Sequence, residues 1–107
     1  MSNKDQKEIL DILRQIYNNP KFSQREGAKK IGLSLGKLNY CLNALKKKGL
    51  VKMKNFKKNK NKENYLYHLT PAGIVEKTKL TVNFMKRTMQ EYDELKREIE
   101  NVDNRKS

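Results

Sequence analysis

The sequence has little of several residue types on which secreted and membrane proteins depend. Its 107 residues include one cysteine, two prolines, five glycines and no tryptophan. A single cysteine excludes an internal disulfide framework. No run of about 18 apolar residues occurs, so the sequence predicts no transmembrane helix. The first ten residues are polar and mixed in charge, unlike a secretory signal, and we therefore expect a cytoplasmic protein.

The sequence also lacks the signatures of catalysis and of metal or cofactor binding. The lone His68 falls in an expected strand beside Tyr67, which favours a structural role. No cluster of cysteine and histidine has metal-ligand spacing, and no glycine-rich phosphate loop occurs. We therefore expect neither an enzyme nor a cofactor. For Cys41 we expect a packing role, with a redox-sensing thiol as the alternative.

What the sequence does have is positive charge, and that charge is concentrated in one segment. The formal net charge is +13. Residues 1–20 and 63–107 each carry equal numbers of acidic and basic side chains, whereas residues 21–62 carry 14 basic residues and a single acid, Glu26. Such a concentration is typical of a surface that binds a polyanion. A device for solubility is the alternative, but solubility does not require confinement to one segment.

The first half of the chain has the apolar periodicity of three helices. The first, Asp5–Tyr17, places apolar residues at helical spacing and ends at an Asn-Asn-Pro sequence. Ser23 and Glu26 form a capping box that begins a short second helix, which Gly32 ends. Ser34 is expected to cap a third helix that ends at Gly49. The third helix should turn four leucines towards the core: Leu35, Leu38, Leu42 and Leu45.

The second half predicts a β-hairpin followed by one long helix. Residues 50–56 and 65–69 alternate as strands do, and the basic, asparagine-rich residues 57–64 lie between them as a turn. Thr70 and Pro71 begin a helix that we expect to run to residue 102, with residues 103–107 frayed. The expected fold class is mainly α with a small β-hairpin wing. We expect a winged helix-turn-helix domain over residues 1–70 and a long C-terminal dimerisation helix over residues 71–102.

The third helix and the hairpin carry the candidate DNA-binding residues. A helix that enters the major groove needs one apolar face and an opposite face of small, polar or basic residues. Asparagine can bond adenine, lysine can reach guanine or phosphate, and glycine permits close approach. The lysines of the hairpin would neutralise phosphates, although a solvated surface is the alternative for both groups. The candidates are Ser34, Gly36, Lys37, Asn39, Tyr40, Asn43, Lys47, Lys54, Lys57, Lys58, Lys60 and Lys62.

The long last helix carries an apolar stripe with steps of 3, 4, 3, 3, 4 and 3 residues, which is close to a heptad seam with one irregular step. A single helix on so small a domain cannot bury this stripe, so we expect a homodimer. The first turns should also contact the first helix. The candidate interface residues are Val82, Met85, Met89, Tyr92, Leu95 and Ile99, with Val102 at the end of the stripe.

Three segments resemble MarR-type winged helix-turn-helix regulators. They are residues 23–34 (SQREGAKKIGLS), residues 38–51 with their LKKKGLV ending, and residues 67–73 (YHLTPAG). The resemblance covers about residues 5–80, and the short chain is most similar to the small MarR-like regulators associated with exopolysaccharide (EPS) gene clusters. It implies a dimeric bacterial repressor or activator that binds pseudo-palindromic double-stranded DNA.

The chain departs from the larger MarR proteins in two respects. The wing has lysines and asparagines in place of an acidic-x-Arg signature, and one C-terminal helix stands where two usually build the dimer and its ligand pocket. The resemblance therefore leaves a small-molecule effector undecided.

Two other function classes remain open from the sequence. One is a protein-interaction module that docks an acidic partner through the third helix and wing. Its weakness is the small, polar outward face, which lacks the large anchors of a hot spot. The other is a non-specific architectural or RNA-binding protein.

Overall fold

The structure, a computed structural model, describes residues 2–21, 23–55 and 65–106. The elements are α1 (Asn3–Asn18), α2 (Gln24–Ile31), α3 (Leu35–Lys47), β1 (Val51–Asn55), β2 (Tyr65–Leu69) and α4 (Pro71–Lys106). The predicted fold class, three helices followed by a β-hairpin and a long C-terminal helix, is confirmed.

The first three helices begin with the same serine cap. The Oγ atoms of Ser2, Ser23 and Ser34 each accept a hydrogen bond, at 3.1 Å, from the backbone N–H three residues later. This bond satisfies one of the backbone donors that a helix start leaves without a partner. The predicted caps at Ser23 and Ser34 are thereby confirmed, although no return bond from the Glu26 carboxylate is seen within the described residues.

Two glycines end α2 and α3 because only glycine adopts their backbone conformation at little cost. Gly32 has φ +81° and Gly49 has φ +74°. After Gly49 the chain turns back, and the Leu50 N–H donates to the Leu45 carbonyl at 3.0 Å. This arrangement is a common helix ending, and it directs the chain from α3 into β1.

The core lies between α1, the two following helices and the base of the hairpin. Leu38 and Leu42 of α3 are almost completely buried, as predicted. Leu35, predicted to join them, is 43% exposed. The helical spacing places it on the edge of the apolar stripe, and at the first residue of α3 no described element covers that edge. The core residues are Leu10, Ile12, Leu13, Ile16, Ala28, Leu38, Leu42, Leu45, Val51, Tyr67 and Leu80.

The hairpin is antiparallel, with Val51 opposite Leu69 and Asn55 opposite Tyr65. Thr70 connects it to α4. Its Oγ1 donates to the Gly49 carbonyl at 2.6 Å and accepts from the Gly73 N–H at 3.0 Å, so it caps α4 as predicted. Gly73 is buried against the Leu50 carbonyl, which leaves no room for a side chain.

Helix α4 is 36 residues long and gives the molecule its extended shape, 71 × 26 × 22 Å. Its first turns pack against α1, as predicted. Leu80 is buried, and Arg87 Nη1 donates to the side-chain oxygens of Asn3 and Gln6. The residues from 88 to 104 are all exposed. The helix continues to Lys106, four residues beyond the end that the sequence predicts. No helix within the described residues is long and apolar enough to span a membrane.

Candidate nucleic-acid interface

The site is built on α3, because the residues that anchor this helix and the residues that it exposes lie on opposite faces. Leu38, Leu42 and Leu45 point into the core. Between them the helix exposes Gly36, Lys37, Asn39, Tyr40, Asn43 and Lys47 to solvent. This face is polar and projects from a well-anchored helix, which is the geometry that reading of a DNA groove requires.

The residues of the exposed face differ in the free space around them and in the contacts that they already make. The space around Gly36 is empty to 4 Å from the position that a Cβ would take. Lys37 Nζ lies 5.8 Å from the ring centroid of Tyr40, which is itself 70% exposed. Ser34 Oγ, a predicted DNA contact, already accepts the Lys37 N–H as the helix cap. The hydroxyl keeps its own proton to donate, because the oxygen acts as the acceptor in that bond.

The described part of the wing adds two lysines. Lys54, predicted as a contact, is exposed on β1, and Lys52 is exposed two residues before it on the same face of the hairpin. Lys57, Lys58, Lys60 and Lys62 of the predicted turn lie outside the described residues.

A basic rim beside α3 was missed by the sequence reasoning. Arg25 and Lys29 of α2 line an open groove of about 350 Å³, which is also lined by Glu26, Ala28, Leu33 and the exposed Leu35. The groove runs between α2 and the start of α3, next to the exposed face. Both basic residues belong to the charged segment and are spaced four apart on a helix, so the charge count together with helical spacing could have identified them.

The hairpin is tied to the helix-turn-helix by a polar contact in the core. Tyr67 is buried, and its hydroxyl accepts a hydrogen bond from Gln24 Nε2 at 2.8 Å. The Tyr67 N–H donates to the Pro20 carbonyl at 3.2 Å. These bonds join β2 to the start of α2 and to the loop before it. They fix the position of the hairpin relative to α2.

Cys41 lies half-buried on the flank of α3 that faces α1. Burial raises the pKa of its thiol above the ordinary value, while the Lys37 ammonium lowers that pKa and the Glu8 and Asp5 carboxylates raise it. Because the thiolate is the reactive form, a raised pKa disfavours oxidation at neutral pH. The packing role therefore has the better support. Among the described residues no group of acidic, cysteine and histidine side chains is arranged to hold a metal ion.

The predicted dimer residues are all exposed and lie along one side of α4. Their exposed fractions range from 44% at Val82 to 66% at Tyr92. The stripe comprises Val82, Met85, Met89, Tyr92, Leu95, Ile99 and Val102. Large apolar side chains in contiguous exposed rows mark interaction surfaces in proteins.

Comparison with known proteins agrees with this architecture. Residues 9–52 match a family model described as winged helix-turn-helix DNA-binding. The match spans α1 to the start of β1 and so includes the exposed face of α3. No protein in the search of curated sequences matches the chain significantly.

Several solved structures share the fold at low sequence identity. PcaV, a transcriptional regulator from Streptomyces coelicolor, matches with a TM-score of 0.64 and 19% identity over 73% of this chain and 54% of its own. The transcriptional repressor CouR, bound to a 23-mer DNA duplex, matches with a TM-score of 0.66 and 21% identity, over 80% of this chain and 59% of its own. A mutant MarR from E. coli, complexed with operator DNA, matches with a TM-score of 0.56 and 24% identity, over 67% of this chain and 50% of its own.

These likenesses establish the fold. The chain has a winged helix-turn-helix domain arranged as in MarR-type structures, and it spans between 50% and 59% of the length of the three proteins compared.

Proposed function

We propose that this chain is a sequence-specific transcriptional regulator that binds double-stranded DNA as a homodimer on a pseudo-palindromic site. The observation that carries the proposal is the exposed face of α3. It presents two asparagines, a tyrosine and lysines on a helix whose opposite face is locked into the core. We further propose that it acts in the bacterial cytoplasm as a repressor, which is the class of regulator to which CouR belongs.

In this proposal α3 enters the major groove and its asparagines read bases. Asn39 and Asn43 are four residues apart, so both lie on the exposed side of the helix. An asparagine side chain can bond the N6 and N7 atoms of adenine together, which discriminates adenine from the other bases. Tyr40 lies beside them, where its hydroxyl can donate to a phosphate and its ring can contact a sugar or a thymine methyl.

The surfaces on either side of α3 bind the phosphate backbone. Arg25 and Lys29 lie on the α2 side, and Lys54 lies on the hairpin side. Contacts of this kind raise the affinity for any DNA and fix the register of the helix in the groove. Leu35, exposed between α2 and α3, adds an apolar contact next to the phosphates.

The apolar stripe of α4 joins two copies. Its seven large apolar residues remain exposed, and so does every residue from 88 to 104. Pairing with a second copy buries the stripe and gives the assembly a two-fold axis. The axis relates two identical α3 helices, and DNA sites read by such a pair are inverted repeats.

Selection of bound sequences from a random pool of DNA tests this function. A regulator of this kind enriches an inverted repeat, and the enriched duplex should displace random DNA and RNA of equal length in competition. Recovery of random sequence, or equal competition by RNA, would instead identify a non-specific nucleic-acid-binding protein. A protein that retains no nucleic acid at moderate salt would leave the docking of an acidic protein partner as the better account.

A further inference from the structure

We propose that α4 pairs with α4 of a second copy in antiparallel orientation, centred on Tyr92. This inference rests on the homodimer proposed above and adds the orientation and the register of its interface. Two independent features of α4 carry it. One is the spacing of the apolar stripe, and the other is the difference in charge between the two halves of the helix.

The apolar spacing is symmetric about Tyr92. The steps of 3, 4, 3, 3, 4 and 3 residues from Val82 to Val102 are the same in both directions along the chain. In an antiparallel pair centred on Tyr92, every residue of the stripe therefore meets another member of the stripe. The pairs are Val82 with Val102, Met85 with Ile99, Met89 with Leu95, and Tyr92 with Tyr92 of the second copy.

The irregular step of the stripe lies at its centre. A parallel coiled coil keeps steps of 3 and 4 residues alternating along its whole seam. Two consecutive steps of 3 meet at Tyr92 and interrupt that alternation. In the antiparallel pair the interruption falls on the two-fold axis, which relates one half of the interface to the other.

The two halves of α4 differ in charge, and this difference favours the same orientation. From Leu80 to Gln90 the charged residues are Lys86 and Arg87, both basic. From Glu94 to Asn104 there are four acidic residues and two basic ones. Antiparallel pairing therefore joins a positive half to a negative half at both ends, whereas parallel pairing joins like to like.

The occupant of this surface is a second copy because the symmetry belongs to a single sequence. A different partner would need only a complementary stripe, and nothing would require this helix to match its own reverse. The residues from 88 to 104 are also exposed throughout, so no other described element of the chain covers them.

Cysteine cross-linking tests the orientation and the register directly. In a Cys41→Ser background, single cysteines are placed at Val82, Tyr92 and Val102, and each variant is oxidised under mild conditions. Disulfides form only where Cα atoms come within about 7 Å. We expect Tyr92→Cys to cross-link by itself. Val82→Cys and Val102→Cys should each fail alone and should form a heterodimer when mixed, detected on a non-reducing gel with a size tag on one copy.

Asn83→Cys mixed with Asn101→Cys is the matched control. Like the members of each proposed pair, these two positions are equally far from Tyr92 along the chain. They lie about half a turn away from the stripe, so they should not cross-link. Sedimentation of every variant under reducing conditions separates the possible failures. A dimer in which Val82→Cys or Val102→Cys cross-links alone overturns the antiparallel orientation and leaves the proposed homodimer standing. A dimer in which no stripe position cross-links, or in which the control does, overturns the register. A monomer overturns the homodimer and this inference together.

Discussion

Two asparagines of α3 have the most specific part in DNA recognition. Replacing Asn39 or Asn43 by alanine should change the preferred base at one position of each half-site, at a cost of roughly 1–3 kcal/mol for the original site. The side chains are exposed, so the free protein should keep its stability. Binding to the selected site and to the four base variants of each position measures the effect. Uniform weakening on all sequences would count against base reading by these residues.

Two glycines of the domain are expected to respond in opposite ways to alanine. At Gly73 a Cβ would lie 2.0 Å from the Leu50 carbonyl oxygen, so Gly73→Ala must displace backbone and should destabilise by about 1–3 kcal/mol. At Gly36 the space is open, and Gly36→Ala should stabilise the helix by roughly 0.5–1 kcal/mol. Urea unfolding compares the two.

Gly36→Ala also tests the DNA-binding face. If the backbone of α3 approaches DNA closely at Gly36, the more stable variant should bind its site more weakly. Unchanged affinity would show that this residue lies away from the duplex.

Single residues also show where sequence reasoning reaches its limit. The burial of Leu38 and Leu42 follows from helical spacing, because those positions lie in the middle of the apolar stripe. Leu35 has the same spacing and remains exposed, because burial at a helix end depends on whether a neighbouring element covers it. The closeness of Gly73 to Leu50 joins residues far apart in sequence, and no local pattern around either residue signals it.

At the level of elements, the wing and α3 should contribute differently to binding. Replacing Lys58 and Lys60 by alanine should weaken specific and random DNA alike, and it should reduce the salt slope by about 0.9 for each phosphate that the protein no longer contacts. Lys4→Ala with Lys7→Ala removes the same charge from α1, outside the basic segment, and should leave that slope nearly unchanged. Titrations at several salt concentrations measure both. An equal effect of the two pairs would mean that net charge alone drives binding.

The elements themselves were the most predictable part of the structure. Serine caps and the glycines after α2 and α3 are local signals, so the helix starts and ends could be placed from a few residues each. The end of α4 was placed four residues early, because its last turns have neither a strong stop signal nor a packing partner to define them. Charge and helical spacing could have identified Arg25 and Lys29, whereas the groove that they line depends on how α2 packs beside the start of α3.

For the whole molecule, dimerisation should depend on the stripe of α4. Val82→Lys with Met89→Lys places two charges in the proposed interface and should give monomers in sedimentation at tens of micromolar. Asn83→Lys with Gln90→Lys adds the same charge on the opposite side of the helix and should leave the dimer intact. An unmutated protein that is already monomeric at this concentration would contradict the proposed dimer.

The central claim is that two identical reading helices bind DNA together, and the spacing between half-sites tests it most directly. Major-groove faces recur about every 34–36 Å, or 10–10.5 base pairs, so half-sites should be inverted and centred one turn or a small multiple of a turn apart. Inserting about five base pairs between them turns one half-site to the opposite face of the duplex. In a gel-shift series, this insertion should sharply reduce binding of the dimer, and insertion of a full turn should restore part of it. Binding that is indifferent to the spacing, or that uses one half-site with one copy of the chain, would contradict the claim.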